Sequence, residues 1–279
     1  MGLRAAAALP VRVNVMALTS SPSKLATFRG RNIKPLLGNL EDAVTLRRLS
    51  GLADRVIHLA PPANEVADAR HDSRTRRLLQ ALRLRGMPQA LVYGSTSGVY
   101  GDCSGDVVAE TRGVNPTNAR AHRRVDAEDA VRFFGRSAAV PVHILRIPGI
   151  YAPDREGGTP RTRLLKGTPV LAAFDDVYTN HIHADDLAHA CLAAMWRGKP
   201  QRISNINDDT QLKMGDYFDL AADMYGLPRP PRLQRAEAAQ QLAPMMLSFM
   251  GESRMLDNRR MKNELRLRLR YPTVHTGLK

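Results

Sequence analysis

Gln89-Ala-Leu-Val-Tyr-Gly-Ser95-Thr96-Ser97-Gly98-Val99-Tyr100-Gly101-Asp102 is the stretch that decides the fold. Its apolar run at residues 90–93 breaks into glycines and hydroxyls, as a buried parallel strand does where it ends at a loop over a ligand crevice. A plain turn uses the same residue types, so the pattern on either side has to choose.

Toward the amino end, residues 55–60 read as a strand that leaves through Pro61 and Pro62, and 73–84 as the helix that follows it. Residues 2–9 are alanine-rich and helical until Pro10 stops them. Residues 11–18 alternate and then turn wholly apolar, which predicts a strand. Ser21 and Pro22 suit the cap and first position of a helix running to about residue 28. A strand at Ile33–Leu37, a turn at 38–40 and a helix at 41–49 complete this side. Toward the carboxyl end come a helix at 119–134, a strand at Val142–Ile147 and a helix at 185–196.

Strands alternating with helices at this cadence predict an α/β fold with a doubly wound parallel sheet. Two insertions interrupt it: 154–179, rich in Gly, Pro and Arg, and 214–263, helical around a Pro-rich joint at 227–231. The expectation is a dinucleotide-binding domain at 1–153, rejoined by 180–208. A small mixed substrate domain from 154–179 and 209–279 would sit beside the strand ends.

A chain of 279 residues, 43% of them hydrophobic, can bury a sizeable core. Cys103 and Cys191 are too few for a disulfide framework, and no apolar run reaches membrane-spanning length. A cytoplasmic protein with no membrane partner is expected. The net charge of +14 raises the question of nucleic acid. The arginines, however, are scattered, follow no single helical face and come with no aromatic stacking platform, so they read as solvated surface, with no nucleic-acid partner. Arg266-Leu-Arg-Leu-Arg-Tyr271 is the densest basic run and alternates like a strand with one charged face.

Five segments in order resemble the extended or atypical short-chain dehydrogenase/reductase superfamily, the group labelled NAD-dependent epimerase/dehydratase. They are Gly38-Asn39-Leu40, His58-Leu59-Ala60, Ser95-Thr96-Ser97-Gly98-Val99-Tyr100-Gly101, Leu145-Arg-Ile-Pro148-Gly149-Ile-Tyr151-Ala-Pro153 and Asn180-His-Ile-His183-Ala-Asp185-Asp186-Leu-Ala188. The resemblance covers nearly the whole chain and implies a Rossmann-like fold, NAD or NADP as cofactor, and a sugar or small carbonyl compound as substrate. It implies adenine contacts from Gly38, Asn39 and Leu40, and a ribose and pyrophosphate path along Leu59, Ala60 and Pro61. Thr96, beside Ser95, falls in the place of the family's catalytic hydroxyl, and Pro148 with Gly149 would line the nicotinamide. The phosphates would lie at the amino end of the first helix, near Gly2. Where NAD specificity expects a carboxylate on the ribose, Thr19, Ser20 and Ser21 stand, with Lys24 and Arg29 nearby, which leans slightly toward NADP.

Two departures from the family pattern matter. Its Tyr, followed four residues later by Lys, moves the proton; here those positions hold Arg120 and Arg124. A guanidinium cannot give up a proton at physiological pH, so the usual pair is absent. Thr96 would then polarise the carbonyl and Tyr100 or Tyr151 would relay the proton, while Arg124 holds a ribose hydroxyl or a substrate carboxylate. The cluster His181-Ile-His183-Ala-Asp185-Asp186 is read as a strand end whose Asp185 caps the next helix, with no metal. The second departure is the first strand with its glycine-rich loop, of which only Gly2 has a match. The expectation is a chain whose reading frame extends upstream by about one strand and a loop, and which binds NAD(P) poorly without them. The rival reading is a non-catalytic dinucleotide-binding sensor or partner-docking protein.

Overall fold

The computed structural model describes residues 1–63 and 70–279, and all their side chains except those of Pro244 and Met245. The first half runs α1 (Gly2–Ala7), β1 (Val15–Thr19), α2 (Lys24–Arg29), β2 (Ile33–Leu37), α3 (Ala43–Leu46), β3 (Arg55–His58), α4 (Ser73–Leu82) and β4 (Ala90–Thr96). A short β5 (Val107–Val108) precedes α5 (Ala119–Ser137), β6 (Val142–Ile147), β7 (Gly149–Tyr151), α6 (Arg161–Leu165), β8 (Val170–Leu171), β9 (Tyr178–Thr179), β10 (His181–His183), α7 (Ala184–Arg197) and β11 (Arg202–Asn205). Then come β12 (Leu212–Lys213), α8 (Met214–Tyr225), β13 (Arg232–Leu233), α9 (Arg235–Gln241), α10 (Pro244–Phe249), β14 (Met255–Leu256), α11 (Arg259–Glu264) and α12 (Val274–Gly277).

Strands β11, β6, β4 and β3 form one parallel sheet in that order. Every residue of β6 is buried, as are the first six of β4, which is why both are written as nearly continuous apolar runs. The period-two alternation sends Leu91 and Tyr93 to one face, against Leu78, Leu79 and Leu82 of α4 and Val131 and Phe134 of α5. It sends Val92 to the other face, with Leu187, Cys191 and Met195 of α7 and Met261 of α11. Helices on both faces make the sheet doubly wound. A second core, built from Tyr151, Leu171, Tyr217, Phe218, Val274 and Leu278, lies in the carboxyl part.

Strand β1 pairs with β2 alone, in a sheet separate from the other four strands. The doubly wound order places a strand between these two sheets; among the described residues none bonds to both β1 and β3. Pro35 pairs within β2, a position that an outer strand tolerates.

Four local expectations are corrected. The strand expected from residue 11 begins at Val15, because the Val13 N–H closes a turn onto the Pro10 carbonyl and Val11 is fully exposed. Ser21 does not cap a helix: its N–H donates to Thr19 Oγ1, and α2 starts after Ser23. The cap of α7 is His183, whose Nδ1 accepts the Asp185 N–H at 3.2 Å, while the Asp185 carboxylate pairs with Arg4. Residues 266–271 join no ladder, and Arg266 sits in the left-handed region at φ +51°; Leu265 and Leu267 are buried and Arg266, Arg268 and Arg270 are exposed, so the alternation survives without a strand. Among the described residues no helix is long and apolar enough to cross a membrane.

Candidate active site

Helix α5 runs back antiparallel to the strands, so its amino end stands over the carboxyl ends of β3 and β4. Arg124, in its second turn, reaches down to them. Its Nη1 donates to the Gly94 carbonyl at 2.8 Å, the Tyr93 hydroxyl at 3.0 Å and the Ala60 carbonyl at 3.5 Å. The side chain is buried and its Nε has no partner among the described residues. Thr96 ends β4 half-buried at this lip. Its Oγ1 accepts the Gly98 N–H at 3.2 Å, which orients the hydroxyl and leaves its own proton to donate. The loop beyond turns at Gly101, where φ is +66° and a Cβ would strike the Asn115 carbonyl, so only glycine fits.

At the lip Pro61 and Gly149 are exposed, Leu59, Ala60, Thr96 and Pro148 are half-buried, and Ser95 is buried behind them. On the β1–β2 side, Thr19 is buried while Ser20 and Asn39 are exposed. Asn39 is engaged locally: its Oδ1 accepts the Glu41 N–H and its own N–H donates to Thr45 Oγ1. Gly38 is packed against Leu18 and Thr45, and Leu40 and Ser21 are half-buried. Gly2 is exposed, with open space where a Cβ would stand.

Neither candidate phenol reaches this lip. Tyr100 is 1% exposed, its hydroxyl donates to Asn205 Oδ1 at 2.8 Å, and the Arg146 guanidinium lies 4.6 Å from its ring centre. Tyr151 is wedged edge-on to His181 and His183, with its hydroxyl facing the Thr273 carbonyl and Gly277. Burial raises the pKa of both, moving them away from proton transfer near neutrality.

The histidine cluster is structural. His181 is buried against Tyr217, with ring centres 4.1 Å apart, and burial pushes its pKa down to about 4. Both carboxylate oxygens of Asp186 accept main-chain N–H groups, from Arg270 and Tyr271, at 2.9 Å.

Two buried groups escaped sequence reasoning. Glu128 accepts from Ser95 Oγ at 2.5 Å, Arg146 Nε at 3.1 Å and Arg146 Nη2 at 2.7 Å, locking α5 to the ends of β4 and β6. The signal was there: an arginine inside a wholly buried strand requires a carboxylate. Asp208 is 1% exposed, accepts the Thr210 N–H at 3.0 Å and keeps Oδ2 unpartnered among the described residues. Burial pushes its pKa up to about 7.

The residues at the lip fit the nicotinamide end of a dinucleotide, since a buried guanidinium nitrogen unpartnered among the described residues suits ribose oxygens; at the other end, Thr19, Ser20 and Ser21 after β1 carry no carboxylate to repel a phosphate on the adenosine ribose. A cavity of about 230 Å³ opens at the opposite, amino end of β4 and β6, among Arg55, His143, Trp196 and Lys199.

Comparison with solved structures places this fold beside sugar-nucleotide enzymes. The chain superposes on a conserved protein of unknown function from Silicibacter pomeroyi with a TM-score of 0.76 and 27% identity, covering 99% of this chain and 92% of that one. It also superposes on the UDP-glucose 4-epimerase of Thermotoga maritima (TM-score 0.78, 20% identity, 96% and 89% covered). A dTDP-glucose 4,6-dehydratase of Streptomyces venezuelae solved with NAD shares the fold too (0.76, 20%, 97% and 87%). Among curated proteins, a trifunctional UDP-glucose 4,6-dehydratase, epimerase and reductase of Arabidopsis thaliana is 25% identical over 172 residues, 58% of this chain. The chain spans about a quarter of that relative's length (26%). The model of the NAD dependent epimerase/dehydratase family matches residues 3–207, and the chain belongs to that family.

Proposed function

We propose that this protein binds a pyridine dinucleotide at the strand ends and acts, in the cytoplasm, as an oxidoreductase or epimerase on a sugar or small carbonyl compound without a phenol and ammonium pair. The observation that carries this reading is Thr96, whose hydroxyl is held by the Gly98 N–H at the open lip beside Arg124. When bound, the dinucleotide supplies the hydride donor or acceptor. Thr96 donates a hydrogen bond to the substrate oxygen, and the Arg124 charge stabilises negative charge that builds nearby. Residues 154–179 and 209–279 grip the rest of the substrate. The relatives named for UDP-glucose and dTDP-glucose chemistry support a nucleotide sugar as its class. The absence of a carboxylate at Thr19, Ser20 and Ser21 supports NADP over NAD.

The test is NADH and NADPH fluorescence titration followed by turnover against aldehydes, ketones and nucleotide sugars. Thr96→Ala is expected to lower kcat by about 10²–10³ with KM little changed, and Thr96→Ser to retain most activity. Turnover by Thr96→Ala at the wild-type rate would sink this assignment. The second reading, a non-catalytic dinucleotide sensor, is favoured by one observation: Tyr100 and Tyr151 are both sealed from the lip. Tight dinucleotide binding with no turnover of any carbonyl in the panel would establish it.

A further inference from the structure

Helix α5 is 19 residues long and is capped by Asn118 Oδ1 on the Ala121 N–H at 2.9 Å. Its amino end is the positive end of the dipole, where carboxylates stabilise and cations cost. No acidic residue stands in the first turn; Arg120, Arg123 and Arg124 lie in the first two turns, and Asp126 of the second is paired with Arg76. Arg120 and Arg124, four apart, share a face. Arg124 is 93% buried (7% exposed) yet forms no ion pair among the described residues; its Nη1 is spent on carbonyls and a phenol, and its Nε on nothing. Glu128, one turn further along that face, is consumed by Arg146 and Ser95. Arg120 has no carboxylate partner among the described residues. Desolvation, and then the like charge of Arg124, lowers its pKa. Two cations thus stand one turn apart on one face of a positive helix end, with no carboxylate partner among the described residues.

We propose that Arg120 and Arg124 form an oxyanion-binding pair that takes a substrate's carboxylate or phosphate group at the lip beside Thr96. The assignment rests on the strand-end site described above. It turns the lost proton-relay pair into a selectivity device: the planar forks suit two-oxygen acceptors and cannot serve a neutral hydroxyl as a phenol does.

Calorimetric titration with UDP-glucuronate, UDP-glucose and inorganic phosphate, each against the wild type, Arg120→Gln and Arg124→Lys, tests it. Arg120 is exposed, so its variant keeps the fold, and Arg124→Lys keeps the buried charge. The wild type is expected to prefer UDP-glucuronate over UDP-glucose at least tenfold, with the preference falling below about threefold in Arg120→Gln and partly retained in Arg124→Lys. Phosphate binding that Arg120→Gln weakens equally, without a preference between the two sugars, supports the pair with phosphate as its anion. Equal binding of both sugars with phosphate binding unaltered by Arg120→Gln, or no binding of any of the three, overturns it. A parallel NADH titration separates the two failures. NADH binding without anion selectivity sinks only the arginine pair, whereas loss of NADH binding sinks the dinucleotide site.

Discussion

Strands β1 and β2 pair only with each other and lie half-exposed, whereas β6 and all of β4 but Thr96 are buried in a four-stranded ladder. Polar groups mean different things in the two regions. In the first, Asp42 and Thr45 satisfy turn and helix N–H groups at the surface, where water is an alternative partner. In the second, Glu128 and Arg146 are each 4% exposed in their side chains, and nothing replaces a lost partner. Burial, more than hydrogen-bond count, sets what each interaction is worth.

The sharpest way to break this contrast is Arg146→Ala. It strands the Glu128 carboxylate with Ser95 alone, and an uncompensated buried charge costs about 3–5 kcal/mol. Denaturant unfolding should show a loss of that size. Replacing both partners, Glu128→Leu with Arg146→Met, should recover much of it, since no charge is left unpaired. A single variant as stable as the wild type would mean that water reaches Glu128 and that the two regions do not differ in this way.

Acid should act next most strongly. Burial pushes the pKa of His58 down to about 3 and those of His143 and His181 down to about 4. Between those values and the unfolded value near 6.5, the unfolded chain binds the extra proton, so stability is lost as pH falls. Each histidine contributes about 1.4 kcal/mol per pH unit, together about 4. Asp208 works against them: its pKa, raised to about 7, makes the folded state the better proton binder between about 4 and 7, which offsets about 1.4 kcal/mol per unit. The net expectation is a loss of about 3 kcal/mol per pH unit below 6.5, read from urea midpoints. Residues 1–54 contain no histidine. Amide protection in β4 and β6 should therefore fall steeply with acid, while β1 and β2, which open locally, should follow only the intrinsic exchange rate. A flat stability profile from pH 6.5 to 5 would show that the histidines are hydrated.

Much of this contrast was legible in the sequence, and the reasons are physical. The run at 90–96 and Val142–Ile147 are continuous apolar strands, and only a sheet covered on both faces asks for that. The break between β1 and β3 followed from the missing strand-and-glycine-loop pattern. That Arg120 and Arg124 share a face of α5 was likewise visible, because helix spacing puts residues four apart side by side. What stayed hidden depends on side-chain direction. Whether His183 or Asp185 caps α7 turns on which acceptor faces the first free N–H, and adjacent residues in a strand end offer no periodicity to decide it. Tyr100 sits in a single 3₁₀ turn, too short to carry a pattern, so its burial against Asn205 had no local sign. The Ser95, Glu128 and Arg146 network joins positions 33 and 18 residues apart that only sheet register brings together.

The smallest expected effect sharpens the comparison from the exposed side. Asp42 caps α3, with its Oδ1 accepting the Val44 N–H at 2.9 Å. Asp42→Ala removes that acceptor, but water can reach the freed N–H, so the loss should be that of an ordinary helix cap, about 1 kcal/mol. Because α3 lies beside the two-stranded region, the loss should appear as faster amide exchange in α3 and in the turn that follows β2, with protection in β4 and β6 changed by no more than the shift in overall stability. Asp42→Asn keeps an acceptor oxygen and should restore most of the loss. If Asp42→Ala instead destabilises the protein as much as Arg146→Ala does, the β1–β2 region is coupled to the main sheet far more tightly than its separate ladder implies, and the contrast between the two regions fails.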